Sequence, residues 1–264
     1  MDAATLVRAV CCPHVIVRNL IRSLSLGSLE FRLALQALDK PEYAFGVKHA
    51  IDLASKLNHR RVSVVEFGVG TGLGLKTLER YAEELGGKYG VTVDVYGFDL
   101  SSGLPAPSDY RDVPYFWKAG DYKMDVESLQ AELTRAKLIL GDVRDSIAKF
   151  AQAKPAPIGF ISFDLDYYSS TAAAFRIFDG ADEMFLPRVI CYFDDVRSDG
   201  RALHCEYAGE LRAIKEFNEL PGEVHKLCAF RIQKPVVKFD APWLRQLWAY
   251  HRFSHAQYNI YIRD

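Results

Sequence analysis

The chain has 264 residues, 49% of them hydrophobic and 25% charged, with a net charge of −1. That length suffices for one large buried core, and the balance is that of a globular protein. The near-neutral charge offers no basic surplus for nucleic acid, and no stretch is apolar for long enough to cross a bilayer. Neither nucleic acid nor a membrane is therefore expected as a partner, and a small molecule is the default ligand.

Residues 1–42 read as a helical extension and residues 43–264 as the main domain. Within the extension, residues 6–26 form an apolar stretch broken by Arg8, Arg18 and Arg22. Those charges exclude a membrane helix and a signal-peptide core, leaving an amphipathic region that covers a site or joins copies of the chain in a homo-oligomer. The five cysteines, Cys11, Cys12, Cys191, Cys205 and Cys228, are odd in number and irregular in spacing. This argues against a disulfide framework and fits a reducing cytoplasm. His204, Cys205, His225 and Cys228 match no closed zinc motif and read as ordinary buried or half-buried side chains.

Short apolar runs alternate with helical patterns along the rest of the chain. A helix is predicted over 43–57, then a strand over 62–67 and a helix over 73–85, closed by Gly86 and Gly87. Strands at 92–98, 137–140, 158–163 and 189–193 follow, separated by helices at 126–136, 143–151 and 170–184. A helix at 207–218 leads to a final antiparallel pair, 224–232 and 257–262. Trp243, Trp248, Tyr250 and Phe253 between that pair suit the buried face of a helix or an aromatic pocket. The order predicts an α/β fold: a doubly wound, mostly parallel, seven-stranded sheet with helices on both faces.

Gly68, Gly70 and Gly72 follow the first strand and open a helix, the context a glycine fingerprint requires for a nucleoside-bearing cofactor. Asp99, at the end of the second strand, is placed to accept from ribose hydroxyls. Asp142, past the third strand, is placed to accept from an adenine amino group, and Glu66 lies near the end of the first strand. Helix capping is the plain alternative for each Asp, strongest at Asp142 because a helix begins at Val143. The segments Glu66–Gly72, Gly97–Leu100 and Gly141–Val143 resemble the class I S-adenosylmethionine-dependent methyltransferases over roughly residues 43–220. The resemblance implies a Rossmann-like domain in which Glu66, Gly68, Gly70, Gly72, Asp99 and Asp142 bind S-adenosylmethionine.

Four further carboxylates close the fourth and fifth strands: Asp164, Asp166, Asp194 and Asp195. Strand carboxyl ends face the ligand crevice of an open parallel sheet, so these acids are predicted on the same rim as the glycine turn. Asp164 and Asp166 share a face if the chain stays extended. Their mutual repulsion is relieved by a divalent cation such as magnesium, calcium or manganese, or by protonation of one carboxyl. The bland alternative is capping, or pairing with Arg176, Arg197 or Arg201.

The run Asp164–Thr171, the Asp194-Asp195 pair and the segment Ala213–Phe217 resemble the metal-dependent O-methyltransferases of the macrocin type, which act on sugars and other natural-product hydroxyls. That resemblance makes Asp164, Asp194 and Asp195 ligands of a divalent metal, magnesium first, and Asp166 the general base. Two positions depart from the pattern. Leu186-Pro187-Arg188 stands where a Gly-Gly turn is usual, and Val196 where an aromatic residue follows the acidic pair. The implied reaction is methyl transfer to a hydroxyl of a small molecule, a vicinal diol or catechol being suited to chelation. His49, His204 and His225 are alternative bases, with His204 in a polar loop at 196–206 that could cover the substrate. A metal-independent methyltransferase, an NAD-binding oxidoreductase and a silent binding protein are the rival readings. The last two give the four later aspartates no role.

Overall fold

The computed structural model describes residues 13–197, 200–222, 224–231 and 241–263. Seven strands form one sheet: β1 (Arg61–Phe67), β2 (Thr92–Asp99), β3 (Lys137–Leu140), β4 (Ile158–Phe163), β5 (Phe185–Phe193), β6 (His225–Ala229) and β7 (Leu247–Arg252). Their spatial order is β3-β2-β1-β4-β5-β7-β6. The first five are parallel, and β7 runs antiparallel to both β5 and β6. The doubly wound, mostly parallel, seven-stranded expectation is met.

Helices cover both faces. In chain order they are α1 (Pro13–Ser23), α2 (Leu29–Ala34), α3 (Pro41–Lys56), α4 (Leu73–Tyr89), α5 (Val126–Glu132), α6 (Val143–Gln152), α7 (Tyr168–Ala174) and α8 (Gly209–Glu219). Strand alternation divides the core in two. Val64, Val93, Val95 and Phe160 point to one side, with Tyr43, Val47 and Ile51 of α3 and Leu75 and Leu78 of α4. Val65, Phe67, Phe98, Ile161 and Phe163 point to the other, with Ile147 of α6 and Ala213 and Phe217 of α8. No helix among the described residues is long and apolar enough to cross a membrane.

Phenylalanines form a row across the sheet one residue short of its rim. Register pairs Phe67 with Phe98 and with Phe163, and Phe163 with Phe193. Ring centroids are 4.8 Å apart for Phe67–Phe98, 5.4 Å for Phe67–Phe163 and 4.7 Å for Phe163–Phe193. Each such contact adds roughly 0.5–1.5 kcal/mol beyond the area it buries. Because the row is in register, the residues that follow it emerge together: Asp99, Gly68, Asp164 and Asp194.

Several sequence expectations are corrected. The last strand is Leu247–Arg252, not 257–262, and Trp248 and Tyr250 belong to it as partners of Cys191 and Val189. Alternation places Tyr250 in the core, while Ile260 and Tyr261 of the expected strand are exposed. Trp243 belongs to a 3₁₀ turn, Pro242–Gln246. Gly86 and Gly87 do not end α4, which runs on to Tyr89 with Gly90 as its left-handed cap. The helix expected at 170–184 is α7 followed by two 3₁₀ turns, Phe175–Asp179 and Asp182–Met184. The expected strand at 224–232 is seen over 225–229, and Ile232 lies outside the described residues, as do Arg8, Cys11 and Cys12. Pro187 sits where the β4–β5 register shifts, a place where its missing N–H costs no ladder bond.

The extension is partly built into the domain. Leu29 and Leu33 of α2 join the α3–α4 core, and Lys88 and Tyr89 both donate to Glu30 at 2.6 Å. α1 instead leaves Ile16, Val17 and Leu20 exposed.

Two helical glycines give a direct test of this packing. A Cβ at Gly46 of α3 would lie 2.1 Å from the Phe160 ring, whereas one at Gly87 of α4 would meet nothing within 4 Å. Ala at either site gains about 1 kcal/mol of helix propensity. At Gly46 overpacking costs roughly 1–3 kcal/mol and dominates. Gly46→Ala should lower the melting temperature and Gly87→Ala should raise it; matching shifts would refute the packing.

Candidate active site

A cavity of about 650 Å³ opens at the carboxyl ends of β1, β2, β4 and β5. Its wall includes Glu66, Gly68, Gly70, Asp99 and Asp142, and also Asp164, Asp166, Asp194 and Asp195. The structure thus brings nine of the ten sequence-derived site residues onto one surface. The tenth, Gly72, lies behind the wall, where a Cβ would meet Leu129 at 2.2 Å.

The glycines of the turn differ in what they face. Gly68 has φ +84, and a Cβ there would sit 1.8 Å from the carbonyl oxygen of Asp164. Its smallness lets β1 and β4 close on each other at the rim. Gly70 has φ +50 and faces open space, with Tyr122 Cβ at 3.9 Å as its nearest neighbour. It is the position where a ligand can approach the backbone.

Asp99 fastens this turn. Its Oδ2 accepts from the N–H groups of Val69 and Gly70 at 2.8 and 2.9 Å, and its Oδ1 accepts from Ser101 N–H at 2.6 Å. A carboxylate has about four acceptor sites, so one on Oδ1 is left for a ligand hydroxyl. Asp142 caps α6 by accepting from Arg144 N–H at 2.9 Å, and it holds the Arg144 guanidinium through both oxygens. These Arg144 bonds pull the Asp142 carboxyl down to about 2. Capping is therefore realised at Asp142, on the cavity wall.

Glu66 is buried. Its Oε1 accepts from Tyr43 Oη at 2.6 Å, and Tyr43 Oη accepts in turn from Ser162 Oγ at 2.9 Å. Its Oε2 is buried without a hydrogen-bond partner. Burial pushes the Glu66 carboxyl up to about 7, against the Tyr43 hydrogen bond and the charge of Lys40.

One carboxylate oxygen from each of Asp164, Asp194 and Asp195 falls within 4.8 Å of the other two. Asp194 also accepts from Tyr192 Oη, while Gln246 Nε2 donates to the Asp194 carbonyl at 2.7 Å. The Asp195 N–H donates to Glu210 Oε2 at 2.9 Å, and Asp195 Oδ2 is buried without a partner. An all-oxygen, anionic donor set with an orphaned buried oxygen fits a hard divalent cation. Burial first, and repulsion among neighbours second, raise the carboxyls of Asp164, Asp195 and Glu210. The same causes raise Asp166 to about 8. The chain does not stay extended here: Asp166 has φ +59, and the turn still leaves it on the wall beside Asp164.

Other expectations resolve differently. His49, His204 and His225 do not line the cavity; His225 stacks on Phe217 at 5.2 Å. Among the described residues, the only His, Cys and acid grouping suited to a metal is the Asp triad, so the His204–Cys228 zinc arrangement does not form. Arg197 donates to Gln246, leaving Lys40 as the basic partner of Asp164 at 3.9 Å. Within the Ala213–Phe217 segment, Ala213 and Phe217 are core, and Glu216 accepts from Tyr168 and Arg212. In the polar segment expected to cover the substrate, Ala202 meets the segment at 101–124, where Tyr115 Oη donates to the Ala202 carbonyl at 2.6 Å.

Sequence reasoning passed over Lys40, Tyr43, Tyr192 and Glu210. Lys40 carries one signal, its place before Pro41 at the start of a helix. The others lie inside ordinary helix and strand patterns and acquire a role only through tertiary packing.

The sheet order and the cavity at the strand ends decide the fold. This is the fold of the class I methyltransferases. The calicheamicin methyltransferase CalS11 matches with a TM-score of 0.51 at 20% identity, over 92% of each chain. The O-methyltransferase NovP matches with a TM-score of 0.51 at 12% identity, over 79% of this chain and 78% of its own. No protein-family model and no curated protein sequence matches the chain.

The buried Glu66 carboxyl predicts a pH effect. Its pKa is raised on folding from 4.5 to about 7, so its contribution is full below 4.5 and is lost as the pH rises through about 7. Over that window the loss is about 3 kcal/mol. Glu66→Gln removes the titration and keeps an acceptor for Tyr43. The variant should lose several °C less than the parent between pH 5 and pH 8 in thermal melts. Parallel losses would show that Glu66 is not buried as described.

Proposed function

We propose that the chain is an S-adenosylmethionine-dependent O-methyltransferase acting on a hydroxyl of a small molecule, a sugar or other natural product, with a divalent cation at Asp164, Asp194 and Asp195. The observation that carries this is the convergence of that triad and Asp166 with the glycine turn on one cavity. The names of the two structural neighbours, a methyltransferase and an O-methyltransferase, support the choice of reaction.

The residues divide by position. Gly68 and Gly70 leave backbone exposed to the donor, and the unpartnered Glu66 Oε2 offers an acceptor to its ammonium group. Gly72 sets the turn from behind. Asp99 and Asp142 each keep one free acceptor site, for ribose and for the adenine amino group respectively. When bound, S-adenosylmethionine supplies a methyl group on a sulfonium leaving group, and a divalent cation lowers the pKa of an acceptor hydroxyl and orients it. Asp166 takes the hydroxyl proton as the oxygen–methyl bond forms and the carbon–sulfur bond breaks. The products are a methyl ether, a neutral thioether and one proton, which Asp166 returns to water.

One observation favours a second reading, a methyltransferase that uses Asp166 without a metal. Lys40 already stands against Asp164 and offsets part of the charge of the triad.

Calorimetry with S-adenosylmethionine and with NAD, each with and without magnesium, separates the cofactor readings. S-adenosylmethionine should bind and NAD should not; the reverse result would overturn the assignment. On an accepted hydroxyl substrate, Asp166→Asn should lower kcat by roughly 10²–10⁴-fold while S-adenosylmethionine affinity is kept. Asp194→Ala or thorough chelation should abolish transfer, and activity that survives both would establish the metal-free reading.

A further inference from the structure

Lys40 is the internal cation of the acidic site. Its Nζ lies 3.9 Å from Asp164 Oδ2 and 4.6 Å from the centre of the Tyr43 ring. Among the described residues lining the cavity, the only other cation is Arg144, which is held by both oxygens of Asp142. Nothing else basic on the wall offsets Asp164, Asp194 and Asp195.

The backbone delivers Lys40 to this place. It adopts φ 44 and ψ 65, the left-handed region, directly before Pro41 and the first turn of α3. A residue with a Cβ enters that region at an energetic cost, and a following proline narrows its choices further. Such a conformation persists where the surroundings impose it, and it occurs here beside a cluster of buried acids. Its ammonium lies over the ring of Tyr43, whose hydroxyl is committed to Glu66. The ammonium therefore rests between the Asp164 oxygen and the Tyr43 ring, and its side chain keeps partial contact with water.

We propose that Lys40 is a built-in counter-ion of the carboxylate triad, one that a divalent cation must displace from Asp164 in order to bind. The inference rests on the metal reading above. A divalent cation held by Asp164 and an ammonium 3.9 Å from the same carboxylate repel each other, and low-dielectric walls intensify the repulsion. Before the metal arrives, Lys40 keeps the acids from being uncompensated. Once the metal holds Asp164, the ammonium withdraws toward Tyr43 and water. Lys40 thereby sets the concentration of metal at which the site fills.

The test uses the full chain stripped with a chelator and then dialysed, with magnesium chloride as the probe. Magnesium affinity is measured by calorimetry, and the melting temperature with and without magnesium, for the parent, Lys40→Met, Lys40→Gln and Lys40→Arg. Both neutral variants should bind magnesium about tenfold more tightly, a gain of about 1.4 kcal/mol. They should also melt lower without magnesium and show a larger rise on its addition. Lys40→Arg should stay within about threefold of the parent, since the charge is kept. If Lys40→Met fails to fold, Lys40→Gln provides the comparison. Parent-like or weaker magnesium binding in folded neutral variants would overturn the role of Lys40 and leave the metal site standing. No magnesium binding by the parent or by any variant would overturn the metal site, and the counter-ion with it.

Discussion

The phenylalanine row at the carboxyl end of the sheet is the constraint on which the rest depends. Phe98, Phe67, Phe163 and Phe193 lock four neighbouring strands into register by ring contacts. A slip of one residue in any of them would turn its phenylalanine to the opposite face of the sheet, into the other half of the core, and its rim residue away from the cavity. The apolar row and the polar rim are thus a single device. Interior packing at one position determines where charge appears at the next. Backbone bonds extend the ladder past the row: Gly68 N–H donates to the Phe98 carbonyl and Asp164 N–H to the Phe67 carbonyl, each at 2.9 Å.

The rim concentrates negative charge that folding alone would not favour. Burying carboxylates is costly unless they are paired, hydrogen-bonded or protonated. The chain meets this cost in different ways along the cavity. Asp99 is answered by backbone N–H groups and Asp142 by Arg144. Asp164, Asp195 and Glu210 have their proton affinity raised by burial and by each other. The end of the cavity at Asp99 and Asp142 is therefore electrostatically settled, and the end at Asp164 and Asp195 is not. That asymmetry fits the division of the cavity proposed above, with separate tasks for its two ends.

Much of this was legible in the sequence because parallel strands are short, apolar and punctuated. The expected strands at 137–140 and 158–163 have the observed limits, and every acid expected on the rim lies within three residues of the end of a strand. The failures share a cause. Leu247–Arg252 is a strand because β5 and β6 flank it, and its run of Trp, Tyr and His carries no local signal strong enough to displace a helical reading. Gly86 resembles a helix stop, yet it lies inside α4, where a Cβ would come within 2.8 Å of the Val91 carbonyl oxygen. Lys40, Tyr43 and Tyr192 escaped because their importance lies in which carboxylate each one meets across the fold, a relation that spacing along the chain does not encode.

The contact between Gly68 and the Asp164 carbonyl has a consequence for how such a protein can change. The turn on β1 and the acidic end of β4 share one backbone junction with no room for a side chain. The spacing between the glycine turn and the acids is thereby a fixed gauge, and neither can shift without disturbing the other. Side chains that shape the cavity without touching this junction come from the segment at 101–124, which supplies Leu104, Trp117 and Tyr122 to the wall and is tied through Tyr115 to the Ala202 carbonyl. The scaffold separates a junction that admits no side chain from a segment whose side chains face the cavity.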